Sequence, residues 1–161
     1  MFINAWAEID STHGRIAVAT LRLTQVIERP AEDVFAVISD AGNFGSWNPT
    51  IKSSRQLSEG PPRSGTRVEW VLAGFGKVEQ ELQEFEPNRR VRIVPHMKAM
   101  SGGHRFMLTR EATSGTRVDH ELEMTPRGLF KLMGPMMART GRRNLKATAD
   151  ALKRHLEATP T

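Results

Sequence analysis

The sequence predicts an α+β fold in which a curved, seven-stranded antiparallel sheet wraps around a long C-terminal helix. Apolar and polar residues alternate between residues 50 and 125, and this period of two is typical of half-buried strands. Residues 127–157 instead repeat their apolar residues at helical spacing, which predicts a long helix that buries one face. The breaks between the strand candidates are short, so neighbouring strands should pair antiparallel.

The chain before residue 50 predicts one strand and two short helices. Alternation places a first strand at residues 21–27, with Gln25 as the polar exception on its inner face. Pro30 and the acidic residues that follow it are typical of the first turn of a helix. Residues 43–49 leave room for only one further helical turn.

Six further strands are expected, and glycine or proline marks most of the connections between them. In this scheme Ser101-Gly102-Gly103 forms a turn, and the next strand starts at His104. The predicted strands are 50–57, 66–73, 77–86, 90–96, 104–112 and 116–125.

The last hairpin can be placed in register from the sequence. A three-residue loop, 113–115, with Gly115 in the left-handed conformation, keeps His104 and His120 on the same inner face. In this register His104 lies opposite Met124, and His120 lies opposite Leu108. The two histidines are then four residues apart along the strands, roughly 13 Å. We therefore expect them neither to form a catalytic pair nor to share a metal ion.

The apolar stripe of the long helix changes direction at Gly134-Pro135. Proline removes a helical hydrogen bond, which bends or restarts a helix. We expect the segment before this break to have its own orientation and to act as a gate over a cavity.

Composition and charge exclude several classes of protein. The chain has no cysteine, which rules out disulfides and thiolate chemistry. No stretch approaches the roughly 20 apolar residues of a membrane span, and the first residues do not resemble a signal peptide. We therefore expect a cytoplasmic protein, with residues 1–18 as a loosely ordered arm and 19–157 as a single ligand-binding domain.

The net charge of +5 is concentrated in one element. Residues 126–161 contain eight basic and two acidic residues, so they carry +6 and the rest of the chain −1. Such a basic helix face is either simply solvated or a contact for an anionic partner. Nucleic acid is not expected, because the basic residues are not interleaved with exposed aromatic ones.

Several local motifs also point to one known family. They are Val26–Phe35, which joins a strand to a helix, Ile38-Ser39-Asp40, Trp47-Asn48-Pro49, Phe85–Val91 and Gly115–Val118. With the order of elements, they resemble the polyketide cyclase/dehydrase-like branch of the SRPBCC superfamily, which includes START domains and birch-pollen allergens. The resemblance covers residues 19–157 and implies a helix-grip fold with an apolar cavity between the sheet and the long helix.

No catalytic residue can be assigned from motifs. The chain lacks a phosphate loop, a zinc-protease motif and a nucleophile elbow, and none of its five histidines has metal-ligand spacing with another. We expect no metal and no cofactor. Residues on inner strand positions, near the second short helix or on the first half of the long helix are instead candidate ligand contacts: Gln25, Trp47, Trp70, Gln80, His104, His120, Met124, Met133 and Met137.

Each of these candidates has an alternative role in the core. Histidine titrates near neutrality and suits proton transfer or ligand contact, but it also occurs as a satisfied core residue. A buried glutamine needs hydrogen-bond partners, which either the protein or a ligand supplies. Methionine adapts to varied apolar ligands but also fills ordinary cores. Tryptophan either packs in the core or forms a platform for a ligand.

Three functions fit these features. The first is binding or transport of a small hydrophobic molecule such as a polyketide, a lipid or an aromatic metabolite. The second is a cyclase, aromatase or dehydratase that uses one histidine for proton transfer. The third is an interaction protein that uses the basic helix face. An ionisable side chain deep in the cavity would favour the enzyme, whereas an apolar cavity would favour the carrier. The sequence leaves the oligomeric state open between monomer and homodimer.

Overall fold

The structure is a computed structural model that describes residues 19–112, 115–128 and 134–158. Its strands are β1 (Ala19–Ile27), β2 (Ile51–Gln56), β3 (Arg67–Leu72), β4 (Gly76–Glu86), β5 (Arg90–Pro95), β6 (Met100–Arg110) and β7 (Thr116–Pro126). Its helices are α1 (Ala31–Ser39), a 3-10 helix (Ala41–Ser46) and α2 (Gly134–Ala158). The strands form one sheet in the order β1-β7-β6-β5-β4-β3-β2. Every neighbouring pair is antiparallel, which confirms the predicted fold.

Two predicted segments lie outside the described residues. The first is the loosely ordered arm, residues 1–18. The second is the segment before the predicted break in the long helix, of which residues 129–133 are not described. Helix α2 is described from Gly134 onward. The orientation and the gating role of the preceding segment therefore stay predictions.

Strand β6 is longer than the sequence predicts, because Ser101-Gly102-Gly103 belongs to the strand and not to a turn. Gly102 and Gly103 have φ angles of +123° and +139°. A Cβ atom on Gly102 would lie 2.1 Å from the carbonyl oxygen of Glu123 on β7. A Cβ atom on Gly103 would lie 2.2 Å from the carbonyl oxygen of Ile93 on β5. The glycines are required here because both neighbouring strands approach closely.

The predicted register of the β6–β7 hairpin is wrong by two residues. His104 lies opposite Leu122, and His120 lies opposite Phe106. The connection spans five residues, 111–115, instead of three. Gly115 does not adopt a left-handed conformation, while residues 113 and 114 are not described. A shift of two residues leaves each side chain on its predicted face.

The buried residues form two clusters on the concave face of the sheet. The larger cluster joins α1 and the 3-10 helix to the middle strands and to Leu152 and Leu156 of α2. The smaller cluster joins β1 and β7 to Leu145 and Ala149 of α2. Helix α2 therefore spans both clusters with its apolar face, as its sequence pattern predicts.

The outer face of the sheet carries alternating charges that pair with one another. Arg105 contacts Glu84, Glu121 and Glu123, and Arg92 contacts Glu84 and Glu123. We call this group the outer-face ion network; its members are Arg22, Glu84, Glu86, Arg90, Arg92, Arg105, Glu121 and Glu123. Hydrogen bonds from Arg105 hold the pKa of Glu84 below its usual value.

Asn48 ties the turn before β2 to the long helix. Its side chain is 4% exposed, and its Nδ2 donates to Oγ1 of Thr148 at 3.2 Å. Its Oδ1 accepts hydrogen bonds from the backbone N–H and the hydroxyl of Thr50, at 3.0 and 2.8 Å. Asn48 thus joins the turn before β2 to a residue of α2 that lies 100 positions away in the sequence.

The substitution Asn48→Ala should lower the free energy of unfolding by about 2–3 kcal/mol, because it leaves buried polar groups without partners. Urea denaturation of the purified variant would measure this loss. Asn43→Ala is the matched control, since Asn43 is exposed on the 3-10 helix, and it should change stability by less than about 0.5 kcal/mol. Equal effects of the two substitutions would contradict the role assigned to Asn48.

Among the described residues, no helix combines the length and the apolar composition that crossing a membrane requires.

Candidate ligand-binding site

Polar side chains lie on the concave face between the two apolar clusters. Gln80, His120 and Thr148 are 3%, 2% and 2% exposed, respectively, which is unusual for polar residues. His104 belongs to the same face and retains some accessible surface. Strands β4, β6 and β7 and helix α2 supply these four side chains from widely separated parts of the chain.

His104 and His120 form a hydrogen-bonded pair. His104 Nδ1 lies 2.9 Å from His120 Nε2, and the ring centroids are 5.1 Å apart. The expected separation of roughly 13 Å is therefore wrong. In the observed register His120 is diagonal to His104, two residues from its direct partner Leu122. Diagonal neighbours lie within reach of aromatic side chains, which explains the contact.

Burial keeps both imidazoles of the pair neutral at physiological pH. It lowers the pKa of His104 to about 4, since the protein around the ring disfavours the charged form even though part of the side chain is accessible. Burial and the neighbouring His104 lower the pKa of His120 well below its usual value. The hydrogen bond between the rings therefore joins two neutral groups, each with one N–H donor and one acceptor nitrogen.

Aromatic rings surround the histidine pair. Phe106 stacks on His120 with a centroid distance of 4.0 Å, and Trp70 meets His104 edge-on at 6.2 Å. Trp70 itself stacks on Phe44 at 5.1 Å, and its indole N–H donates to the carbonyl oxygen of Ala41 at 2.7 Å. Trp70 is thus held in place by the core while one edge faces the pair.

The two predicted glutamines differ in how they are satisfied. Gln25 Nε2 donates to the carbonyl oxygen of Ala149 on α2 at 3.0 Å, so the protein supplies its partner. In the described part of the chain, the amide of Gln80 makes no hydrogen bond. Gln80 lies between Val78 and Leu82, which are buried on the same face of β4, and this places it on the concave face. Because Gln80 is buried and makes no hydrogen bond among the described residues, it is a stronger candidate for ligand contact than Gln25.

The remaining predicted residues lie around the edge of this region or outside it. Trp47 packs on Phe44 at a centroid distance of 4.7 Å and on His155 at 6.2 Å. Met124 is 7% exposed in the smaller cluster, directly below Gly141 of α2. Met137 is half-buried near the start of α2. Met133 lies outside the described residues.

A second concave feature lies elsewhere, between β1 and the solvent side of α2. This groove has a volume of about 530 Å³ and contains none of the nine predicted site residues. Its lining is Leu21, Arg22, Leu23, Arg142, Arg143, Leu145, Lys146, Ala147 and Asp150. The groove places part of the basic helix face next to apolar side chains.

Two features of the site were not predicted from the sequence. The first is the buried polar pair of Asn48 and Thr148, for which the polar position of Thr148 within an apolar helical stripe was a usable signal. The second is the contact between the two histidines, which were expected to lie apart. No group of three or more side chains with metal-ligand character comes together in the described ranges.

Solved structures share this fold at low sequence identity. A START superfamily protein from Mycobacterium smegmatis gives a TM-score of 0.73 at 18% identity, covering 86% of this chain and 97% of that chain. The Zhui aromatase/cyclase from Streptomyces sp. R1128 gives 0.70 at 19% identity, covering 87% and 94%. A norcoclaurine synthase point mutant from Thalictrum flavum gives 0.69 at 12% identity, covering 91% and 98%. At these identities the similarity shows the fold alone.

The sequence itself provides the family assignment. A comparison with curated proteins finds no matching relative. Residues 18–157, however, match a family described as polyketide cyclase / dehydrase and lipid transport. This match includes every described strand and α2 up to Glu157. The chain therefore belongs to the polyketide cyclase/dehydrase and lipid transport family.

Proposed function

We propose that this protein binds a small hydrophobic molecule, such as a polyketide, a lipid or an aromatic metabolite, between the concave face of the sheet and α2. One observation carries this proposal: buried hydrogen-bonding groups without protein partners lie within an otherwise apolar wall. The clearest of these groups is Nδ1 of His120, and the side chain of Gln80, a residue that is 3% exposed, lies on the same face. Leaving such a group unsatisfied costs about 1–3 kcal/mol, and a bound molecule with an apolar body and a polar group would offset that cost.

An enzymatic function is the second candidate, and the histidine pair favours it. A cyclase, aromatase or dehydratase needs a group that moves protons, and the pair is an ionisable group on the concave face. A catalytic base works best with a pKa near the working pH. The pKa of His104, about 4, makes it a weak base at neutral pH. The low pKa of His104 therefore favours a binding function over a catalytic one. The interaction of the basic helix face with an anionic partner stays a prediction.

Blocking the concave face should abolish binding of an uncharged, environment-sensitive hydrophobic dye. In Gln80→Trp the indole would fill the space into which the amide of Gln80 points, so the fluorescence increase of the dye should fall at least tenfold. Gln83→Trp is the matched control, because Gln83 lies three residues along β4 on the outer face, where its Nε2 donates to Glu81. Dye titrations of both folded variants, checked by circular dichroism, would measure the difference.

Equal dye binding by wild type and the Gln80→Trp variant would show that the hydrophobic site is not on this face. Native mass spectrometry of protein purified from its own host would then identify any small molecule that remains bound. For the enzymatic candidate, the same sample should contain a cyclised or dehydrated product alongside its precursor.

A further inference from the structure

The histidine pair has two outer nitrogens that its internal hydrogen bond does not use. His120 Nδ1 is buried and has no partner in the described part of the chain. His104 Nε2 belongs to a residue of intermediate exposure, and the hydrogen bond to His120 uses only Nδ1 of its ring. The pair can therefore make one further hydrogen bond at each of its ends, at His120 Nδ1 and at His104 Nε2.

The tautomers of the two rings are linked through their shared hydrogen bond. A neutral imidazole has one N–H and one acceptor nitrogen. If His120 Nε2 donates to His104, then His120 Nδ1 is an acceptor and His104 Nε2 carries a hydrogen. If His104 Nδ1 donates instead, the two outer nitrogens exchange roles. In both states the pair presents one donor and one acceptor.

A hydroxyl group can pair with either outer nitrogen in both tautomeric states, because it can donate to the acceptor nitrogen or accept from the N–H. A carboxylate can only accept hydrogen bonds. It would also bring a negative charge next to a pair for which no described group supplies a compensating positive charge. Burial lowers the pKa of His104, and burial together with the neighbouring His104 lowers the pKa of His120; no cation or carboxylate of the described residues contributes to either shift. The rings in contact with the pair, Trp70 and Phe106, are uncharged. Burying an unpaired charge there would be far more costly than burying a neutral group.

We infer that the ligand carries a neutral hydroxyl group, as in a phenol, an alcohol or an enol, which hydrogen-bonds to the His104–His120 pair. Gln80, on the same face, provides an additional donor and acceptor for a second polar group of the molecule. This inference rests on the proposed function, because it names the polar group of the molecule bound at that same site.

Three aromatic probes that share one ring system test this inference: naphthalene, 2-naphthol and 2-naphthoate. At pH 7.5 the wild-type protein should bind 2-naphthol about tenfold more tightly than naphthalene, as expected for one hydrogen bond made in a buried site. It should bind 2-naphthoate more weakly than 2-naphthol by a similar factor or more. Equilibrium fluorescence or calorimetric titration gives the three affinities.

The variant His104→Leu/His120→Leu removes both members of the pair together, so that neither is left without its partner. The affinity ratio of 2-naphthol to naphthalene should fall from about ten to about one in this variant. The control is His96→Gln, because His96 is an exposed residue that contacts Glu81, and it should keep the wild-type ratio.

A spectroscopic measurement on the wild-type protein makes the test independent of variant folding. The 15N chemical shift of His120 Nδ1 should change when 2-naphthol is added, and it should not change with naphthalene. A ratio near one in the wild type, a ratio near ten in the double variant, or an unaltered Nδ1 shift would each overturn the inference. If none of the three probes binds, the proposed function itself is wrong.

Discussion

Lowering the pH from 7 to 5 should destabilise the folded protein by about 2 kcal/mol through His104 alone, with a further loss through His120. An unfolded histidine has a pKa near 6.5 and takes up a proton over this range. Folded His104, with a pKa of about 4, remains neutral. The unfolded state therefore binds more protons, so this contribution to stability is present above pH 6.5 and is lost as the pH falls toward 4.

Among the described residues, no group packed against the pair changes its protonation between pH 7 and pH 5. From β3 and β6 the contacts are Trp70 and Phe106, and the buried face of α2 carries only uncharged side chains: Gly141, Leu145, Thr148, Ala149, Ala151, Leu152 and Leu156. The carboxyl group of Glu84 has a lowered pKa, so it stays ionised at pH 5. The difference in pH dependence between the wild type and a variant that lacks the pair therefore reports on these two histidines.

Urea denaturation at pH 7 and pH 5 would measure this loss in the wild type and in the variant His104→Leu/His120→Leu. The double variant should lose at least about 2 kcal/mol of the pH dependence. Its stability at pH 7 should change little, since replacing both partners of a hydrogen bond with apolar groups is nearly neutral. The same pH dependence in the double variant would mean that the pair titrates normally.

Substitution of either glycine in β6 should have the largest effect on stability. Gly102→Ala or Gly103→Ala should cost more than about 4 kcal/mol or prevent folding. The new Cβ atom would lie within 2.2 Å of a backbone carbonyl oxygen of β7 or β5, and a backbone atom in the middle of a sheet cannot move aside without breaking the hydrogen bonds of the sheet. Thermal and urea denaturation would measure the loss.

The matched control for these substitutions is Gly74→Ala. Gly74 also has a positive φ, +83°, but no atom lies within 4 Å of its Cβ position. This substitution should cost only about 1–2 kcal/mol, the strain of a left-handed alanine. If all three variants lost the same amount of stability, the backbone conformation and not the close approach of strands would explain the glycines in β6.

Periodicity in the sequence predicts which face of the sheet a side chain occupies better than it predicts which residue lies opposite it on the neighbouring strand. The alternation in β6 and β7 places His104 and His120 on the concave face, as the structure does. Their contact depends on the register, and a two-residue shift leaves the face unchanged. The length of the connecting loop, which decides the register, has no periodic signal in the sequence.

Other features depend on residues that are distant in the sequence. Gly102 and Gly103 resemble a turn locally, while the atoms that require them belong to β7 and β5. Gln25 and Gln80 have the same pattern of neighbours, but among the described residues only Gln25 donates to a carbonyl group of α2. Local sequence patterns cannot contain this information, because it arises from the packing of separate elements.

The outer-face ion network has a consequence for how this sequence can diverge. If Arg105 is lost, Glu84 keeps Arg92, Glu121 keeps Arg22, and Glu123 keeps Arg92. If Glu84 is lost instead, Arg105 keeps Glu121 and Glu123, and Arg92 keeps Glu123. During evolution these charged residues can therefore be replaced one at a time without leaving a half-buried charge unpaired. The sequence of the outer surface can change in this way while the curved sheet is retained.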